Sequence, residues 1–183
     1  MKTYESTESV RDHPDNKQNY GGKKMNKTKF LVQSAMIAAI YVVLTLVFKP
    51  ISYGLMQVRV SEALTILPFF TPAAIPGLAI GCLLANVIGP YGILDVILGT
   101  TATLIAAVLS YKMPNKYLVP IPPIIVNALI IGPMLYYILV AEQVPVQMMG
   151  AILWVALGQV IACYGLGYPL LRLLEKYKNK IFS

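Results

Sequence analysis

Within this 183-residue chain, few residues can do chemistry. Between Met25 and Arg172 the only acidic residues are Glu62, Asp95 and Glu142, and Arg59 is the single cation between Lys49 and Lys112. The amides Asn86, Asn127, Gln143, Gln147 and Gln159 and the sole tryptophan, Trp154, accompany them. A carboxylate accepts paired N–H donors, as it does from an arginine fork, and an amide both donates and accepts. An indole adds a stacking face. That set suits recognition of a small polar ligand. It does not suit catalysis: the only histidine, His13, lies in the polar N-terminal segment, and no HExxH, GxSxG or Cys–His arrangement occurs. Without a Walker A motif, ATP hydrolysis by that route is excluded as well. No cofactor or metal site is expected, and Cys82 and Cys163 read as free thiols packed among apolar residues.

The elements that must carry these residues are apolar. Hydrophobic residues make up 57% of the chain and charged ones 13%, against about a quarter in an ordinary soluble domain. Mean hydropathy is +0.65. The net charge of +7 does not point to nucleic acid, because the basic residues gather at the chain ends and in one short loop. The reading is therefore an all-α, polytopic membrane protein. Spans are expected at 30–48, 93–111, 118–140 and 146–171. The stretch 61–88 is ambiguous, being one long span or two short ones divided at "TPAAIP", since Pro72 and Pro76 each remove a donor and disfavour helix just before them. As an α-helix, 61–70 would rise only about 15 Å, too little to cross alone.

Charge bias decides between the two counts. Six spans place Lys27, Lys29, Lys112, Lys116, Arg172, Lys176, Lys178 and Lys180 inside, with only Lys49 and Arg59 outside; five spans reverse the loops. Six transmembrane helices over 27–177, with both termini cytoplasmic and a basic tail at 178–183, is the expected topology. Residues 1–26 read as a disordered polar tail without a signal-peptide core. Met25 is an alternative start, because Tyr20–Met25 could be encoded by a purine-rich stretch resembling a ribosome-binding site.

In this topology Arg59, Glu62, Asn86, Asp95, Glu142, Gln143 and Gln147 all lie near the outer face. Asn127 and Gln159 lie deeper, and Trp154 sits about two turns below Gln147. Ionisable groups inside spans usually face a cavity and carry function, so an outward-opening cup is expected. Each residue has a plainer reading. Glu62 pairs with Arg59 at a helix start, Asp95 answers a helix dipole, Asn86 ends a helix, Asn127 glues two helices, Trp154 packs, and Glu142 is solvated. In "SAMIAA", Ser34 with Ala38 and Ala35 with Ala39 stand four apart, which admits close approach of another helix, internal or from a partner.

Longer stretches carry a resemblance. "RVSEALTILPFFTPAAIPGLAIGCLLANVIGPYGILDVILGTTATLIAA", "PIPPIIVNALIIGP" and "LGQVIACYGLGYPLL" together resemble the QueT family, over about 27–177. These are queuosine-precursor substrate-binding (S) components of energy-coupling factor (ECF) transporters. The resemblance implies a six-helix S-component fold in a bacterial cell membrane. It also implies a transmembrane T component and two ATPase subunits as partners, with Ala35 and Ala39 matching the AxxxA-like motif that meets the T component. The implied substrate class is 7-deazaguanine, with a cyano or aminomethyl substituent. Glu62 or Asp95 would then take the guanidine-like edge of the base, Asn86, Asn127 and Gln159 the other polar atoms, and Trp154 a ring face. An S component for another heterocycle, or a structural membrane protein with no ligand, remains the competing reading.

Overall fold

The computed structural model describes residues 26–181 apart from 55, 142, 144 and 146, with side chains described as far as 177. The polar tail, Met25, Glu142 and the tail at 178–183 therefore lie wholly or largely outside the described residues. Helix α1 (Lys27–Val47) begins beside its two lysines and runs 21 residues, about 32 Å at 1.5 Å each, enough to cross a hydrocarbon core of about 30 Å. Lys49-Pro50 starts the short α2 (Lys49–Ser52), where proline suits a first turn. An irregular strap, described at 53–54 and 56–59, leads to a 3₁₀ helix, Val60–Phe69. Then follow α3 (Ala74–Val87), α4 (Gly92–Tyr111), α5 (Ile121–Ala141) and α6 (Met148–Val160). A π-helical segment, Ile161–Gly167, joins α6 without a break to α7 (Tyr168–Ile181).

Among the described residues, four helices are long and apolar enough to cross a membrane: Lys27–Val47, Gly92–Tyr111, Ile121–Ala141 and Met148–Tyr177. The ambiguous stretch resolves into two shorter apolar helices, the 3₁₀ helix and α3, separated at Phe70–Ala73. The 3₁₀ form changes the length argument. At about 2.0 Å per residue its ten residues reach about 20 Å, further than an α-helix of the same sequence.

Contacts fix the directions of these two helices. Thr45, near the end of α1, donates to Ser61 Oγ at 2.7 Å, while Ser34, near its start, donates to the Ala73 carbonyl at 2.8 Å. The 3₁₀ helix thus runs antiparallel to α1. Helix α3 then returns along α1, with Gly77 facing Ser34 and Ile37, and Gly81 facing Ala38 and Tyr41. A Cβ on Gly77 would stand 2.7 Å from the Ser34 carbonyl oxygen, so only glycine permits this approach. Ser34 and Ala38 are consumed by this internal contact; Ala35 and Ala39 are exposed on another face of α1.

Side chains three apart on a 3₁₀ helix eclipse, giving three stripes. Leu64 and Leu67 join Ile37, Tyr41 and Leu78 of α1 and α3. Ile66 packs with Phe70, Val119 and Leu171 at the basic end of the bundle. Glu62 and Thr65 form the third stripe, and Thr65 contacts Cys163 of the π segment. The outer surfaces of the long helices carry large exposed apolar residues, such as Leu31, Met36, Val43, Ile97, Leu129 and Leu153, while polar residues are buried. Apolar outside and polar inside is the arrangement a lipid solvent favours. The protein is a helical, polytopic membrane protein.

Candidate functional site

Beneath the strap, buried polar side chains converge in two tiers. The outer tier centres on an ion pair: Arg59 Nη2 lies 2.9 Å from Asp95 Oδ2, with both side chains almost fully buried. Asp95 stands in the first turn of α4, where a carboxylate also meets the helix dipole favourably. Asn86, in the last turn of α3, donates from Nδ2 to the Asp95 carbonyl oxygen at 2.9 Å, tying α3 to α4. Gly99 makes room for this, since a Cβ there would fall 2.5 Å from Asn86 Nδ2 and 2.8 Å from Asp95 Oδ1. Above the pair the Arg59 guanidinium lies over the Tyr53 ring at 5.2 Å. Tyr91 donates to the Tyr53 carbonyl and meets its ring edge-on, and Tyr53 donates to the Ala85 carbonyl. Burial pushes the Tyr53 phenol up to about 12 against the opposing pull of Arg59, so its hydroxyl remains a donor throughout the working pH range.

The inner tier centres on Glu62, which is 1% exposed. Tyr41 of α1 donates to Glu62 Oε1 at 2.6 Å. Thr103 of α4 and Asn127 of α5 present their side chains to the same carboxyl. Cys163 of the π segment points its thiol at the Glu62 carbonyl and at Gln159 Oε1. Cys82 joins the tiers, accepting from Thr103 at 3.2 Å and Asn86 at 3.4 Å, with Arg59 Nη1 at 3.9 Å. Both cysteines are free and buried.

The strap itself is held under constraint. Gln57 adopts φ 44°, a left-handed conformation uncommon outside glycine, yet its side chain is 1% exposed. Gly158 of α6 is what admits the strap, because a Cβ there would lie 1.9 Å from the Met56 carbonyl oxygen.

Polar satisfaction is incomplete across both tiers. Gln57 Nε2, Arg59 Nε, Glu62 Oε2, Asn86 Oδ1, Asp95 Oδ1 and Asn127 Nδ2 are buried without a hydrogen-bond partner. Each such atom costs about 1–3 kcal/mol, so a cluster of them is a strain the fold does not resolve by itself. Three are donors and three are acceptors, which suits a flat molecule with mixed polar edges.

A sequence model of the family described as "QueT transporter" matches residues 31–176. The chain belongs to the QueT family. Among curated proteins, "Queuosine precursor transporter QueT" of Lactococcus lactis subsp. cremoris (strain MG1363) is 40% identical over 96 residues. That alignment covers 51% of this chain and 56% of the relative, so the match spans about half of either protein. No solved structure matches.

In this QueT-family chain the site residues divide. Glu62, Asn86, Asp95, Asn127 and Gln159 are all buried and belong to or border the cluster. Trp154 does not: it is 42% exposed on the face of α6 that also carries Leu153 and Leu157, pointing away from the polar tiers. Gln143 and Gln147 are exposed as well. Two expectations are corrected. Arg59 pairs with Asp95, not with Glu62, because the strap ends just before the 3₁₀ helix and directs the guanidinium to the first turn of α4. The cup is closed, its polar residues lying beneath the Tyr53–Tyr91 cap. Sequence reasoning passed over Tyr41, Gln57 and Thr103. A hydroxyl in mid-span and an amide beside Arg59 were the available signals, but neither is unusual without knowing what it faces.

Proposed function

We propose that the two-tier cluster is the substrate site of a queuosine-precursor importer, and that this chain is its ECF-type S component. The carrying observation is the set of six buried, unpartnered donors and acceptors inside a transporter-family membrane bundle. A 7-deazaguanine offers N1–H and a 2-amino group as adjacent donors and a 6-oxo group as acceptor. The unpartnered carboxylate and amide oxygens of the cluster suit the first two; Gln57 Nε2 or Asn127 Nδ2 suits the third. Tyr53 and Tyr91 supply the aromatic faces near the outer tier that the sequence had assigned to Trp154.

In this reading the 3₁₀ helix and α3 each complete a crossing, giving six spans with both termini cytoplasmic. The substrate enters from outside after the strap and the tyrosine cap move. A transmembrane T component meets the exposed Ala35 and Ala39 of α1, and two ATPase subunits supply the energy. The test is a thermal-shift titration of the purified protein with 7-aminomethyl-7-deazaguanine, with guanine and riboflavin as controls. Saturable stabilisation by the deazaguanine supports the assignment, since a ligand that binds only the native state raises its stability. Stabilisation by riboflavin instead, or by nothing, removes it.

A further inference from the structure

Helix α7 carries three different faces at the basic end of the bundle. Leu171 is fully buried, and Leu170 and Leu174 pack beside it. Leu173 and Tyr177, about one turn apart, are 56% and 42% exposed and continue the apolar outer surface on which Leu166 is exposed. Arg172 and Lys176, also about one turn apart, form an exposed basic face. The continuous helix from Met148 to Tyr177 has 30 residues, about 45 Å at 1.5 Å each. A hydrocarbon core is about 30 Å thick, so the surplus stands among headgroups. Met148 and Met149 are apolar and exposed at the start of this helix, which puts the surplus on its last turns. Exposed apolar residues flanked by cations on those turns fit that depth.

Arg172 is held in a fixed position there. Its Nε donates to the Tyr168 hydroxyl at 3.1 Å, and its guanidinium lies over that ring at 5.5 Å. Tyr168 is stacked in turn on Tyr117 of the α4–α5 loop at 5.8 Å, and the Tyr117 carbonyl accepts from Tyr164 at 2.9 Å. Both terminal amino groups of Arg172 are left without a hydrogen bond among the described residues. Glu175, the only acidic side chain between Glu142 and the C-terminus, is engaged by Lys116 at 3.0 Å. Among the described residues, Lys112, Arg172 and Lys176 therefore have no ion pair. We propose that Arg172, with Lys176 and Lys112, binds the phosphate of an anionic phospholipid in the leaflet at this end of the bundle. A guanidinium fixed through Nε keeps a fork of two donors, which suits phosphate oxygens. The exposed Leu173 and Tyr177 meet the acyl chains of the same lipid. An acidic protein surface would match the charge but would bring no acyl chains to that stripe. This lipid site is independent of the buried cluster and of its reading as a substrate site.

The experiment is native mass spectrometry of the full chain, released from micelles that contain equal amounts of phosphatidylglycerol and phosphatidylcholine with matched acyl chains. The first bound lipid is expected to be phosphatidylglycerol by about fivefold or more. Raising the ammonium acetate concentration is expected to lower that ratio, because salt screens exposed charges. Arg172→Gln with Lys176→Gln is expected to bring the ratio towards one. Lys49→Gln, beyond the opposite end of α1, is expected to leave it unchanged. Equal binding of the two lipids by the wild type overturns the proposal and gives the basic face to an acidic protein surface instead. A ratio that survives the double change, or that falls as far with Lys49→Gln, also overturns it. The wild-type comparison is decisive by itself, whether or not the variants fold.

Discussion

The Arg59–Asp95 pair and Glu62 call for different responses to substitution, although all three are buried. Removing one member of a buried ion pair leaves the other charge stranded, at a cost of roughly 3–5 kcal/mol. Asp95→Ala is therefore expected to lower the melting temperature markedly, and a double change of Arg59→Met with Asp95→Leu to recover most of the loss. Recovery without ligand binding would separate the pair's structural part from its recognition part; no recovery would mean that Asn86 and Gly99 also depend on the pair. Glu62→Gln keeps shape and the contact with Tyr41, so its expected effect is on affinity for the proposed deazaguanine ligand, about tenfold or more, with the folded protein retained. Unchanged affinity in a titration would return Glu62 to a purely structural role.

Helices here meet through glycines, and the glycines tell which contacts are rigid. Gly158 lets the strap lie on α6, whereas Gly150, two turns earlier on the same helix, faces open space. Gly158→Ala must push back the Met56 carbonyl, and overpacking of this sort costs about 1–3 kcal/mol. Weaker ligand binding is expected for Gly158→Ala and not for Gly150→Ala, read in parallel titrations. Equal behaviour would mean that the strap plays no part in recognition. On α1 the two small-residue pairs separate in the same way. Ser34 and Ala38 are closed by Gly77 and Gly81. Ala35 and Ala39 are exposed, so under the proposed ECF assembly Ala35→Leu with Ala39→Leu is expected to spare ligand binding and abolish co-purification with the proposed T component. Retained co-purification would move that interface elsewhere.

For the molecule as a whole, the topology can be decided from two positions. Lys27 is the first residue of α1 and Asn115 lies between α4 and α5, so four passes between them put both on the same side, and three put them on opposite sides. Cys82 and Cys163 are fully buried, which leaves the background for labelling low. Cysteines placed singly at 27 and 115 are expected to react only from the cytoplasmic side, and one at Gln143 only from outside. Labelling of 27 and 115 from opposite sides would refute the six-span arrangement and make the 3₁₀ helix and α3 together a single crossing.

Apolar runs were enough to indicate a helical membrane protein and its four long helices, because these follow from local hydropathy; the prolines of "TPAAIP" left 61–88 as one span or two, and packing decided for two helices. The same reading singled out Glu62, Asn86, Asp95, Asn127 and Gln159, all of which are buried, because a polar residue in an apolar span is conspicuous by itself. What it could not find was who faces whom. Spacing made Arg59 and Glu62 partners, yet the 3₁₀ helix turns Glu62 inward to Tyr41 while the strap carries Arg59 to Asp95, 36 residues along the chain. Trp154 had the right chemistry on the wrong face of α6. Partner choice and the closed cap depend on contacts between residues far apart in sequence, and those exist only once the helices have packed.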